Sequence, residues 1–68
     1  MITEKIGIRI KELRKEKGIS QEKLAFSAEL DRTYVAGVES GKRNPSVKSL
    51  EKIIVALDVS FEEFFKNI

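Results

Sequence analysis

The chain has 68 residues, with thirteen Lys and Arg against eleven Asp and Glu for a net charge of +2, and 41% of it is hydrophobic. That length holds one domain at most, taken as residues 1–68, and buries a limited fraction of its surface, so association would help its stability. With no Cys and no His, disulfides, thiolate metal sites and the commonest general base and metal ligand are excluded; no apolar run approaches the ~20 residues of a membrane span and no signal peptide is visible, so a cytoplasmic location is expected.

The first helix is predicted from about Thr3 to Lys17, because Ile6, Ile10 and Leu13 fall on one face at i, i+4 and i+7. Ile2 is expected to extend that stripe, and Gly18 to be the left-handed residue just past the helix end. Ser20 should cap a second helix, about Gln21 to Ser27. Asp31 should cap a third, about Arg32 to Ser40, which Gly41 ends. Lys42 to Pro45 form a loop, extended at Asn44 because a proline follows. Ser46 should cap a fourth helix with Leu50, Ile53, Ile54 and Leu57 as its apolar stripe. Ser60 and Glu63 read as a capping box for a short fifth helix carrying Phe61, Phe64, Phe65 and Ile68. No strand, repeat or linker is expected, so the fold class is all-α, a compact five-helix bundle.

The most informative stretch is Gln21 to Ser40. It reads as two short helices around a tight turn, with Leu24, Ala28, Leu30, Val35 and Val38 inward and the small Ala25 at the crossing. Arg32, Thr33 and Tyr34 then project from the first turn of the third helix. A helix presented this way fits the DNA major groove, with its N-terminal side chains against base edges. The charge distribution agrees: residues 1–48 hold eleven Lys and Arg against seven Asp and Glu, while residues 49–68 hold two against four. A basic front suits a polyanion, although a charge this small is also an ordinary solvated surface.

Three strings, IGIRIKELRKEKGISQEKLA, LDRTYVAGVESGKRNPSVKSLEKI and ALDVSFEEFF, resemble the phage-repressor-like (Cro/C1-type, xenobiotic-response-element) helix-turn-helix family over about residues 6–65. Within it, LDRTYVAGVESGKRN is similar to the controller proteins of restriction–modification systems. The resemblance implies a lambda-repressor-like five-helix fold, with helix-turn-helix at the second and third helices. It also implies a homodimer on a two-fold-related operator in double-stranded DNA, and an ion pair between Arg14 and Glu39 pinning the first helix to the third. One departure is Glu29, where the family usually carries Gly or Asn in a left-handed backbone; Glu there should cost roughly 1 kcal/mol.

Each candidate contact has a plainer reading beside it. Arg32 can donate two hydrogen bonds to guanine O6 and N7; otherwise it is an exposed arginine whose charge opposes the helix dipole. Thr33 can meet a thymine methyl or a phosphate, or be an ordinary first-turn residue. Tyr34 can bond a phosphate or cover the rim of the core. Gly37 costs up to ~1 kcal/mol mid-helix, explained by close approach of DNA or by tight packing on a neighbour, and the former is expected. Gln21 matches the family's phosphate-binding glutamine. Ser40, Lys42, Arg43, Asn44, Ser46 and Lys48 are expected to grip phosphates along one strand; the plain alternative is a solvated basic loop. Three phenylalanines and an isoleucine in the last eight residues exceed what one short helix can bury. Phe64 should face inward with Val59, leaving Phe61, Phe65 and Ile68 for a two-fold interface.

The expected function is a homodimeric, sequence-specific transcriptional regulator, with restriction–modification genes as one candidate target. The alternative is an antitoxin or protein-interaction module on the same fold, which would usually need an added disordered tail. An enzyme is rejected, because no acid–base pair or metal cluster is apparent; neither cofactor, metal nor small-molecule substrate is expected.

Overall fold

Apolar residues recurring at three and four positions build five helices. The computed structural model describes all 68 residues: α1 (Ile2–Glu16), α2 (Gln21–Ala28), α3 (Arg32–Glu39), α4 (Val47–Ala56) and α5 (Phe61–Phe65). The boundaries differ from the sequence expectation by one residue, as helix ends usually do.

Three helix starts use serine chemistry. The hydroxyls of Ser20, Ser46 and Ser60 accept from the backbone N–H of Lys23, Ser49 and Glu63 at 3.0, 3.1 and 3.0 Å, each satisfying one donor the helix itself leaves open. Two cap expectations fail. Asp31 holds the N-cap position of α3 with extended backbone, but its side chain makes no cap hydrogen bond. The Ser60–Glu63 box is half formed, because the Glu63 carboxylate turns instead to Arg9, 3.4 Å away. At the other ends, Gly18 and Gly41 take the left-handed conformation at φ +69° and +81°, and Glu29 does so at φ 58°, as does Asp58 after α4 at φ 60°.

The core is twelve apolar side chains drawn from every helix: Ile6, Ile10 and Leu13 of α1, Leu24, Ala25 and Ala28 of α2, Val35 and Val38 of α3, Ile53, Ile54 and Leu57 at α4, and Phe64 of α5. Fully burying a side chain of this kind is worth about 1.5–3 kcal/mol over leaving it exposed. Leu30 and Leu50 reach only the edge of the core, as does Val59. Ile2 does not join it and is 55% exposed. Its position explains this: Gly41, just past α3, already lies against Glu4, so the first residues of α1 run beyond the element they would pack on.

α1 packs on α3, and α2 packs on both α3 and α4. The α1–α3 crossing is closer than the sequence suggests. Gly7 is buried there, against the carbonyls of Val38 and Glu39; a Cβ at Gly7 would stand 2.6 Å from the Glu39 oxygen. Ala25, the small residue the sequence offered for a close crossing, is indeed buried, but Gly7 sets how near α1 comes to α3.

Candidate nucleic-acid interface

α3 buries Val35, Val38 and Glu39, at i, i+3 and i+4, and so turns its other face out. On that face Arg32, Thr33 and Ser40 are exposed, and Tyr34 and Gly37 are half-buried. A charge holds the helix in place from beneath. Arg14 Nε donates to Glu39 Oε2 at 2.7 Å and Arg14 Nη2 donates to Glu39 Oε1 at 3.1 Å, a two-pronged pair. Arg14 Nη1 also donates to the Ile19 carbonyl at 2.9 Å, so the same guanidinium fixes the α1–α2 connection. The hydrogen bond to Glu39 raises the Arg14 pKa above its ordinary value, outweighing the opposite pull of desolvation, and the Coulomb attraction adds to the rise. No buried side-chain polar atom is left without a partner.

Gln21 belongs to this buried cluster more than to the outer surface. Its Nε2 donates to Glu39 Oε1 at 3.1 Å, so its side chain has a structural partner within the chain, beside the phosphate role expected of it at the start of α2. The buried Glu39 carboxylate thus accepts from Arg14 of α1 and from Gln21 at the start of α2.

The segment after α3 folds back over it. The Gly37 carbonyl accepts from the backbone N–H of Lys42 and of Arg43, both at 3.0 Å, and from the Ser40 hydroxyl at 3.0 Å. Arg43 then lies with its guanidinium carbon 4.9 Å from the centre of the Tyr34 ring, a cation–π contact. This changes the reading of two residues. A Cβ at Gly37 would stand 3.2 Å from Arg43 Cβ, so the returning loop is a second reason for a glycine at mid-helix beside the close approach of DNA. Arg43, expected as a free phosphate contact, is partly committed to Tyr34.

Arg32, Lys42, Asn44 and Lys48 are exposed, and their side chains make no hydrogen bond or ion pair within the chain. The uncapped start of α3 leaves its first-turn N–H groups without a side-chain acceptor, beside Arg32 and Thr33. Ser46 is exposed, with its hydroxyl engaged to Ser49.

At the far end, Phe64 is fully buried, while Phe61, Phe65 and Ile68 are 46%, 38% and 36% exposed. Phe65 meets the edge of Phe64, with ring centroids 5.0 Å apart. Sequence reasoning missed the anchor of this end. Arg9 of α1 donates from Nε to the Phe64 carbonyl at 2.8 Å and from Nη2 to the Glu63 carbonyl at 2.7 Å. Its only signal in the sequence is an arginine one position before a core isoleucine. Gly7 was missed too, although a glycine inside an otherwise apolar helix face is a visible signal of close approach.

The helix-turn-helix family matches residues 10–64. The Mycoplasma sp control protein C.MunI is 46% identical over 65 residues, covering 94% of this chain and 88% of its own. The crystal structure of the restriction–modification controller protein C.AhdI from Aeromonas hydrophila is 51% identical, with a TM-score of 0.88 over 93% of this chain and 96% of that one. The controller protein C.Esp1396I, solved as a tetramer in complex with its natural 35 base-pair operator, is 46% identical, with a TM-score of 0.92 over 96% of this chain and 86% of that one. Variants of C.Esp1396I with an arginine, a threonine or a tyrosine replaced at three consecutive positions have been solved as well. The chain belongs to the helix-turn-helix family, and its fold and sequence are similar to those of the restriction–modification controller proteins.

Proposed function

We propose that residues 1–68 act as one DNA-binding domain that pairs into a homodimer, binds a two-fold-related operator and regulates the transcription of restriction–modification genes in the cytoplasm. The observation that carries this reading is the clamped α3. Arg14 and Gln21 hold its inner end rigid through Glu39, and its first turn stays open, uncapped and led by an unpaired arginine. Such a helix serves binding rather than catalysis.

Arg32 reads bases, with Thr33 and Tyr34 beside it. These three form the only Arg-Thr-Tyr run in the chain, and the C.Esp1396I variants replace the same three residue types in the same order. Lys42, Asn44 and Lys48 hold phosphates, with Ser40 and Ser46 flanking them. Arg43 contributes through Tyr34, whose ring it steadies. Phe61, Phe65 and Ile68 join the two copies. One turn of DNA then separates the recognition helices, about 34 Å.

Selection of bound sequences from random duplex DNA, followed by Arg32→Ala, tests the reading. The variant should lose about 1–3 kcal/mol per half-site on the selected duplex, little on a scrambled one, and flatten the preference at one base pair. Lys42→Ala should weaken both duplexes alike and reduce the slope of log affinity against log salt by about 0.9 for each phosphate it had neutralised. Equal losses on both duplexes for Arg32→Ala would make it a phosphate anchor and move base reading to Thr33 or Tyr34. Recovery of no preferred sequence by the wild-type protein would refute sequence-specific binding altogether.

A further inference from the structure

α5 is five residues long, far too short to persist as an isolated helix. Two things tie it down. One is the buried Phe64 ring. The other is Arg9, whose guanidinium closes on the C-terminal carbonyls of α5. Nε donates to the Phe64 carbonyl at 2.8 Å, Nη2 to the Glu63 carbonyl at 2.7 Å, and Nη2 also meets Glu63 Oε2 at 3.4 Å. On its own helix, Nη1 lies 3.6 Å from Glu12 Oε1. The Arg9 side chain is only 14% exposed. Carbonyls at a helix end lack full pairing within the helix, and a cation is favoured there; the Glu63 carbonyl also accepts from the Lys66 backbone N–H at 3.3 Å. The Phe64 carbonyl also belongs to the peptide unit that leads into Phe65, so Arg9 grips the backbone from which Phe65 projects.

The same helix touches α3 on either side of Arg9. Two residues before it, Gly7 brings the α1 backbone against the Glu39 carbonyl. Five residues after it, Arg14 bonds the Glu39 side chain. α1 therefore links the Phe61, Phe65 and Ile68 patch to the recognition helix through short, directional contacts at both ends. We propose that Arg9 is a positioning residue for operator recognition: by fixing α5 on α1 it sets the orientation of the dimer patch, and so the spacing of the two recognition helices. This rests on the dimeric reading above. Phe64 alone anchors one point of α5, about which the helix could swivel; the forked guanidinium supplies the second and third points that stop it.

The test compares wild type, Arg9→Gln and Arg9→Lys at a temperature where circular dichroism shows all three folded. Sedimentation over a concentration series reads the dimer constant. Fluorescence anisotropy reads affinity for the duplex recovered by selection from random DNA, and for a duplex carrying one half of it. Arg9→Gln should raise the dimer dissociation constant by about tenfold or more, equivalent to about 1.4 kcal/mol. It should lower full-site affinity relative to half-site affinity, and leave half-site affinity unchanged. Arg9→Lys should fall between, because one ammonium cannot reproduce the planar fork. A residue that only stabilised the fold would lower the melting temperature and leave the dimer constant and the full-to-half ratio at wild-type values, and that result overturns the proposal. If Arg9→Gln does not fold, Arg9→Lys decides by the same criterion. A wild type that is monomeric at every concentration refutes the dimer and this proposal together. A dimer for which no preferred duplex is recovered refutes only DNA specificity, and the dimer constants still decide the role of Arg9.

Discussion

Gly7→Ala puts the α1–α3 crossing to a quantitative test. On helix propensity alone the change is favourable by up to about 1 kcal/mol. The structure opposes it. The added Cβ would stand 2.6 Å from the Glu39 carbonyl oxygen and 3.0 Å from its carbonyl carbon, and would press on the Val38 carbonyl as well. These are backbone atoms in the last turn of α3, and that turn is itself held by Arg14. Nothing there can swing aside as a flexible side chain would, so α1 and α3 must separate. Overpacking of this kind costs typically 1–3 kcal/mol, occasionally more, and a separation also loosens the packing of Val35 and Val38. The net expectation is a loss of about 1–3 kcal/mol. At about 4–8 °C per kcal/mol for a domain of this size, the melting temperature should fall by about 5–20 °C. Gly37→Ala is the control, because it makes the same chemical change at another mid-helix glycine. Its nearest neighbour is Arg43 Cβ at 3.2 Å, a side-chain atom on a loop that can give by a few tenths of an ångström, so its melting temperature should stay near wild type. Thermal unfolding followed by circular dichroism measures both. If Gly7→Ala melts at or above wild type, the close crossing is wrong.

Arg14→Ala and Glu39→Ala should each cost about 3–5 kcal/mol in denaturant unfolding, because each strands a buried charge; a midpoint unchanged in either would reduce the pair to a surface contact. The raised pKa of Arg14 fixes the sign of its pH dependence: its contribution is complete below the ordinary guanidinium value and is lost only as pH rises through the higher folded one, so titration to mildly alkaline pH should reveal no step from this residue. Glu29→Gly should be neutral or stabilising by up to about 1 kcal/mol, since φ 58° and ψ 42° suit glycine and its side chain makes no hydrogen bond, with glycine's larger unfolded-state entropy opposing the gain; a clear fall in melting temperature would count against it. Phe65→Glu should convert the dimer to a monomer in sedimentation and weaken binding to operator-like DNA, and a dimer of unchanged strength would remove this residue from the interface.

What could be read from the chain alone follows from the kind of information that spacing carries. Apolar residues at three and four positions say which face of each helix turns inward, and the core side chains from Ile6 to Leu57 all lie on the stripes so identified or, for Ala25, at the expected crossing. Serine before a helical run says where a helix begins, because the reason is local: one hydroxyl and one N–H three residues away. The left-handed backbone at Glu29 was legible only through the resemblance to the helix-turn-helix family, because nothing local to a glutamate asks for it.

Contacts between elements are another matter. Gly7 and Gly37 look alike in sequence, both glycines inside helices, and only the atoms opposite them separate a crossing of two backbones from a returning loop. Arg9 and Arg14 look alike too, and both proved to be anchors, one for α5 and one for α3. Neither partner is near in sequence: Phe64 lies 55 residues from Arg9 and Glu39 lies 25 from Arg14. Asp31 shows the converse. Local chemistry favours a carboxylate bonding the first-turn N–H groups of α3, and the structure leaves that bond unmade. Ser20, Ser46 and Ser60 all make theirs, while α3, like α1, starts without a side-chain cap hydrogen bond. An N-terminus whose donors have no side-chain acceptor keeps them, and the positive end of the helix dipole, free for an acceptor from outside.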